Sequence, residues 1–518
     1  MYRKIKLIIA IAILFAITLQ TNKTYAQFTL NGQLRTRGEH RNGFANLIPK
    51  AAEATNFISQ RTRLNFGYKW DRVTFGVSVQ DIRVWGQDAS TISFTDGNKL
   101  MLHEGWADIT LLNIADTTLK TKFIDNLSLK IGRQELIYDD ARLIGNLDWL
   151  QQGRRFDMAL LKAMHHGWQL DLGYAFNQNN ETFVNTFYTP GNTAAYVKND
   201  IGVVVPVPAG TVPLLNAAGN SAASGNVNFT NPAGTNASSQ NYKNFISVYL
   251  SKKFNQTKVS ALYFNDDFTA YTNSTISTGG GNLFVRDFNT HKTVGRYTYG
   301  GMVVHTLGNA SGFGKIALNG AYYHQLGRDR DNKKLDAYHY TASATYSKGK
   351  FSFGPGYDYL SGNTENTVAA TESKRFDPLY GTPHKFWGLM DFFYAPTGSP
   401  TAGLKNAYFK TKFTANRYSI MLDYHYFEMA NSLKNSPVAT KKLGDEIDLT
   451  VSYNLNKFTT VDLGYSVMKG TDALPYAKNQ VAVTVPVNNN FENTGQFAYF
   501  SINIKPDFFF TKPVAIKN

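Results

Sequence analysis

A closed antiparallel β-barrel that crosses a membrane with its strands is the fold this sequence predicts. Three observations carry the prediction. The first is an N-terminal export segment. The second is that no later stretch approaches the roughly twenty apolar residues a spanning helix requires. The third is a mature chain filled, almost end to end, with segments of about ten residues whose apolar and polar positions alternate.

The export segment comes first in the chain. Arg3, Lys4 and Lys6 form a positive start, Leu7 to Leu19 a short apolar core, and Thr24-Tyr25-Ala26 a small-x-small cleavage site. Residues 1–26 therefore read as a cleaved signal peptide, with a mature chain beginning at Gln27. An exported chain that alternates throughout belongs in the outer membrane, bathed in outer-membrane lipid and lipopolysaccharide and inserted there by the barrel-assembly machinery. At 518 residues a soluble protein would divide into several domains, yet the texture is uniform from 27 to 518 and no linker interrupts it. A barrel escapes that size limit because it grows by adding strands. The 30 Tyr and 36 Phe suit aromatic girdles at both membrane interfaces. Mean hydropathy is −0.30, as expected when half of every strand faces water. With Cys 0 there is no disulfide framework, thiolate metal site or cysteine nucleophile.

The strands reveal their faces by parity. Phe28, Leu30, Gly32 and Leu34 oppose Thr29, Asn31, Gln33, Arg35 and Arg37. Ile58, Leu64, Phe66 and Tyr68 oppose Ser59, Arg61, Arg63, Asn65 and Lys69. Trp168, Leu170, Leu172, Tyr174 and Phe176 oppose Gln169, Asp171, Gly173 and Ala175, and Ile447, Leu449, Val451 and Tyr453 oppose Glu446, Asp448, Thr450 and Ser452. One face of each belongs in lipid and the other in water.

Connections come in two sizes. Tight turns such as Lys69-Trp70-Asp71, Ser347-Lys348-Gly349 and Asn454-Leu455-Asn456-Lys457 fit periplasmic hairpins, whereas Gln178 to Asn241, too polar to fold alone, fits an outer loop. About nineteen strand-like runs are present, an odd number that a single-chain antiparallel barrel excludes. Counting forward from Phe28, Phe351 to Leu360 runs outward. Counting back from the end, Leu404 to Phe413 runs inward. Phe386 to Tyr394 therefore cannot span, and Ser361 to Gly403 becomes one long outer excursion that packs over or into the lumen. The total falls to about eighteen, a class with an aqueous lumen.

Several blocks resemble the alginate-export family of outer-membrane barrels. They are Gly132-Arg133-Gln134 with Tyr138-Asp139-Asp140, then Gly153-Arg154-Arg155-Phe156-Asp157. Phe376-Asp377-Pro378-Leu379-Tyr380-Gly381 follows with His384, Gly388 and Asp391, and then Leu443-Gly444-Asp445-Glu446-Ile447-Asp448 with Leu463-Gly464-Tyr465-Ser466. The resemblance implies a monomeric eighteen-stranded barrel with an arginine-rich passage for a uronate polymer.

Charge narrows the partner. Of the net +15, the signal segment carries four, leaving +11 on the mature chain. Nucleic acid is excluded as a partner by location and by the absence of any basic helix or aromatic-basic motif that reads it. An anionic solute or polysaccharide remains. Arg35, Arg37, Arg61 and Arg63 would form a positive rung in the lumen, able to grip carboxylates in the manner of anion-selective pores. The competing arrangement is an internal ladder in which Glu39, Glu104 and Asp108 neutralise them. Arg133, Arg154 and Arg155 are added to the channel lining on the family blocks, and Lys410 and Lys412 on strand parity.

Other chemistry is weaker. His165-His166 lies in a turn beside Gly167 and is not a metal site. Asp139, Asp140 and Asp148 have calcium-compatible oxygens but no recognised loop spacing. Ser419, Asp423 and His425 share a strand face but are too far apart for a relay, and no nucleophile elbow or phosphate loop appears. The reading is a passive outer-membrane channel for anionic solutes, without cofactor or metal and not an enzyme. A barrel hydrolase and an adhesive barrel with a blocked lumen are the alternatives.

Overall fold

The computed structural model describes residues 27–86, 100–115, 123–177, 194–227, 242–288, 292–393, 399–486 and 490–510. The proposed signal peptide lies outside them. Among the described residues, eighteen strands form one closed antiparallel sheet. In chain order they are β1 Gln27–Asn42, β2 Thr55–Trp70, β3 Val73–Val84, β4 Leu100–Asn113, β5 Asn126–Gln134 and β6 Phe156–His165. Then come β7 Trp168–Phe176, β8 Asn244–Phe254, β9 Thr257–Thr269, β10 Thr293–Asn309, β11 Gly314–Arg328 and β12 Lys334–Lys348. The last six are β13 Phe351–Leu360, β14 Leu404–Ala415, β15 Tyr418–Met429, β16 Lys442–Asn454, β17 Thr459–Gly470 and β18 Thr494–Ile504.

Each strand pairs with its sequence neighbour, and β1 closes the ring on β18 from Leu34↔Ile504 to Asn42↔Gln496. A short continuation, Asp507–Phe510, carries the seam on to Thr29–Asn31. Closure removes the free edges that would otherwise pair with other chains.

Period two sorts the side chains as the alternation predicts. Leu64, Phe66 and Tyr68 point outward, more than a third exposed, while Ser59 and Arg61 of the same strand are buried inside. Turns of two residues at 71–72, 166–167, 255–256, 349–350 and 416–417 gather at one rim. The opposite rim carries the long connections, including 135–155, 177–243, 270–292, 361–403 and 471–493.

At that rim the described part of 178–241 does not fold by itself. Its strand Thr211–Leu215 pairs with Gly281–Asp287 of the neighbouring connection. Val197 and Val205 pack on Leu283 and Val285, so apolar area supplied by a second loop completes a cluster the polar segment lacks.

Two connections turn inward. The described parts of 135–155 and 361–403 enter the barrel and add Leu143, Ile144, Phe376, Tyr380, Trp387, Met390 and Phe392 to an apolar interior that the strands' inner faces, with Leu47, Ala473 and Leu474 of other connections, also build. Ser361 to Gly403 joins β13 to β14, and Phe386 to Phe393 carries no strand and is packed among buried residues.

Candidate functional site

The two inward loops interlock. Tyr380 N–H donates to Leu143 O at 2.9 Å, Gly145 N–H to Tyr380 O at 3.0 Å, and Thr382 N–H to Ala141 O at 2.8 Å. Below them Trp149 stacks on His384 with ring centroids 3.9 Å apart, and His384 Nδ1 lies 2.7 Å from Asp391 Oδ1. Blocks far apart in sequence thus converge inside one ring of strands.

The first loop spans the lumen from wall to wall. On one side it meets β1 and β2, where register sets Arg35 directly opposite Arg61. Two guanidiniums so placed repel. Asp148 bridges them, with Oδ1 2.7 Å from Arg61 and Oδ2 3.4 Å from Arg35. Arg35 also donates to Gln151 Oε1 at 3.0 Å and to Asp148 O at 2.8 Å. Arg37 pairs with Glu39 at 2.7 Å and lies 3.9 Å from the centroid of the Trp149 ring. Arg63 donates to Gln80 at 2.6 and 2.9 Å and stands 4.0 Å from Glu135. Parity placed these four arginines inside, and inside they are, but beneath a loop rather than facing open water.

Of the expected neutralising acids only Glu39 makes a direct ion pair with these arginines among the described residues. Asp108 takes Lys162, and Glu104 accepts the Glu135 backbone N–H at 3.0 Å. Asp148 does the work instead. Burial acts to raise its pKa, but Arg61 and Arg35 outweigh that and hold it below the ordinary aspartate range. Its contribution is therefore present above the unfolded value of about 3.9 and lost only as pH falls through the lower folded one. Conductance should accordingly stay constant from neutral pH down to about 4 and rise in stronger acid as the loop loosens. An Asp148→Asn channel should be open at neutral pH, without that acid transition.

On the far wall the same loop sets Asp139 against Lys258 at 3.0 Å, Tyr249 at 2.8 Å and Ser260 at 2.7 Å. Arg142 reaches Asp358 at 2.7 Å and Asp140 at 3.2 Å, and its guanidinium lies over Phe386 at 4.1 Å. Asp139, Asp140 and Asp148 therefore diverge to different partners and form no common calcium site.

The second loop is pinned by acids and an arginine. Asp377 meets Arg296 at 2.6 Å, and Tyr380 donates to Asp266 at 2.8 Å. At its tip Met390 N–H donates to Glu446 Oε1 at 2.8 Å and Leu389 N–H to Asp448 Oδ2 at 3.3 Å. Gly388 makes this approach possible. Its φ is +82°, and a Cβ there would fall 2.4 Å from Glu446 Oε1.

The family-block arginines divide. Arg154 and Arg155 are buried, the former donating to Gly381 O at 2.5 Å, so it holds the two loops together. Arg133 is a correction. It shares the outward parity of Leu129 and Ile131, and it grips Asp157 bidentately at 2.7 and 2.8 Å on the outer face. It does not line the lumen; strand parity, not motif membership, decides its face.

Below the loops lies a cavity of about 770 Å³. Arg142, Lys258, Lys385, Lys410 and Lys412 line it, with Asp139, Asp140, Asp423 and Asp448. Lys258 is paired with Asp139, and Lys410 with Asp423 at 3.0 Å. Lys385 and Lys412 have no carboxylate partner among the described residues. Lys412 was legible from parity. Lys385 was not, because it sits in the single turn Pro383–Lys385 of an irregular loop.

The remaining sequence candidates resolve simply. His166 and Gly167 form a two-residue turn, and His165 stands 3.7 Å from Asp125. Ser419 and His425 lie six residues apart on β15, about 20 Å at strand rise. His103, Glu104 and Glu135 have donor types suited to a cation, but His103 Nε2 already contacts Glu135 at 2.9 Å, beside Arg63.

No curated protein matches the chain in sequence. Solved structures do match in fold. OccAB1 of Acinetobacter baumannii is 12% identical with a TM-score of 0.53, over 93% of this chain and 97% of that one. OccAB4 of the same organism is 12% identical with a TM-score of 0.53, over 94% and 100%. OpdK of Pseudomonas aeruginosa, solved with vanillate, is 10% identical with a TM-score of 0.51, over 93% and 99%. The chain is an outer-membrane β-barrel of porin-like architecture, and its residues 26–175 match the alginate export family.

Proposed function

We propose that the protein is a passive channel for small anionic solutes, with short uronate-type carbohydrates as the class it passes. The observation that carries this reading is the pair of ammonium groups, Lys385 on the loop and Lys412 on the wall, that face the cavity without carboxylate partners among the described residues. Of the lining aspartates, Asp139 and Asp423 each have a lysine beside them and Asp140 shares Arg142 with Asp358, and the five lining cations exceed the four lining aspartates by one. The surplus charge is therefore positive, as an anion path requires. The volume of about 770 Å³ falls within the roughly 300–1,000 Å³ of small-molecule sites. It suits a mono- or short oligosaccharide with the loops in place, more than a polymer. The carboxylate solved with OpdK supports the same class of solute. Arg35, Arg37, Arg61 and Arg63 serve in this reading by fixing the constricting loop, and Arg154 by joining it to the second.

The long-loop rim faces outward in this proposal, since short turns are periplasmic in outer-membrane barrels. An epitope inserted near Gly225 should then be reachable on intact cells.

Planar-bilayer measurements test the channel. The native protein should favour anions in a salt gradient, and galacturonate should block the current. Lys385→Gln with Lys412→Gln should shift the reversal potential toward non-selectivity and weaken the block about tenfold, less so in strong salt. An unchanged reversal potential would remove the lysines from selectivity. Absence of any conductance would favour the blocked barrel, for which the interlocked loops are the supporting observation.

A further inference from the structure

We infer that the tight-turn rim is a binding surface for anionic phospholipid headgroups in the leaflet it touches. A recurring pair carries the inference: a cation followed at once by an aromatic residue. It occurs as Lys69-Trp70, Lys253-Phe254, Lys350-Phe351, Arg417-Tyr418 and Lys457-Phe458, each at a different tight turn. Up-and-down topology brings all five to one end of the barrel.

The two members of each pair have separate tasks. Trp70, Phe254, Phe351 and Tyr418 are 48%, 46%, 60% and 52% exposed, forming the apolar girdle at the interface. Lys350, Arg417 and Lys457 lie in the turns themselves, beyond that girdle at the depth of lipid phosphates, and Lys252 reaches the same depth on the outward face of β8, whereas Lys69 and Lys253 have lumen parity and approach the rim from inside. The cations of the five pairs are exposed or at the turn itself, and none makes an ion pair among the described residues. Lys457 lies over the Phe458 ring at 4.3 Å, and Lys252 over Trp168 and Phe254 at 5.1 and 5.0 Å, so the charges rest on the girdle.

The opposite rim mixes unpaired cations, such as Lys50, Lys434 and Lys441 among the described residues, with paired ones. There Arg41 pairs with Glu39 at 2.6 Å, Arg83 with Asp81 at 2.7 Å, Lys405 with Glu428 at 3.3 Å and Lys442 with Asp445 at 2.7 Å. Among the described residues outside the eighteen strands, the acids at the tight-turn rim are Asp71, Asp125 and Asp507, and Asp125 is engaged by the His166 backbone N–H at 2.7 Å. A ring of unpaired cations around an apolar belt is complementary to phosphate above acyl chain. It holds lipid through charge, which multiplies over the ring.

The mature full-length protein, purified in mild detergent, can be mixed with equal phosphatidylglycerol and phosphatidylethanolamine and weighed by native mass spectrometry. Phosphatidylglycerol should be retained preferentially. The combined variant Lys252→Gln, Lys350→Gln, Arg417→Gln and Lys457→Gln should lose about tenfold in that preference, with its heat-modifiable migration intact. Equal retention by both proteins overturns the inference. So does a variant that keeps its lipid but loses binding to peptidoglycan or to an acidic periplasmic protein. If the variant does not fold, the native protein decides: its preference should fade as salt rises toward about 1 M, and a salt-independent preference refutes a charge-based surface.

Discussion

Replacing Arg142 with alanine should raise single-channel conductance several-fold while the barrel stays folded. Arg142 and Asp358 are both almost fully buried and meet at 2.7 Å. Without the guanidinium, Asp358 keeps only Asn406 Nδ2, at 3.1 Å, among the side-chain partners described. Stranding one charge of a buried pair costs about 3–5 kcal/mol. Asp358 belongs to β13 and is held there by two ladders, so the strand cannot carry it out to water. The loop can move instead. Residues 135–155 should withdraw from this wall, admit water to Asp358 and widen the path. The bond network around Asp139 resists this, since Lys258, Tyr249 and Ser260 all hold the same loop. A channel of native conductance would mean that network alone fixes the constriction. Heat-modifiable migration on gels should be unchanged in either case, because the strand ladder is untouched.

The strand faces were legible in the sequence because period two is strict wherever one side is lipid and the other water. Arg61 and Tyr68 could not share a side, and they do not. Parity also fixed the boundaries around the second loop: β13 ends at Leu360 and β14 begins at Leu404. The inward turn of 135–155 was harder to read. Its signal was present in Leu143-Ile144, Leu147 and Trp149-Leu150, an apolar content out of place in a solvated loop. Periodicity says nothing about where such a segment packs, so Asp148 offered only calcium-compatible oxygens when its partners were guanidiniums more than eighty residues away. Arg133 misled for the opposite reason. A motif gave it a role, while its position two residues after Ile131 on a nine-residue strand set it outside. Lys385 had no readable face at all, because irregular backbone has no period.

Arg296→Met should release the second loop as Arg142→Ala releases the first, and the two together should cost less than the sum of each. Arg296 is nearly fully buried, holding Asp266 through Nε at 3.0 Å and Asp377 through Nη1 at 2.6 Å. Its removal leaves Asp266 with the Tyr380 hydroxyl and Asp377 with Arg330 at 3.4 Å. Residues 361–403 should therefore leave the wall at a cost near 3–5 kcal/mol. Asp266 is on β9 and must stay, whereas Asp377 is on the loop and can follow it to water. The loops are not independent, because Tyr380 exchanges backbone hydrogen bonds with Leu143 and Gly145, and His384 stacks on Trp149. Once one loop has left, the other has already lost those contacts, so a second substitution removes fewer. The chain has Cys 0, so Lys385→Cys supplies the sole thiol, and its maleimide labelling rate reads the open population in each background. The double-mutant cycle should show a coupling of about 0.5–3 kcal/mol in the direction of mutual support. Additive labelling energies would mean two separate gates that happen to share a lumen.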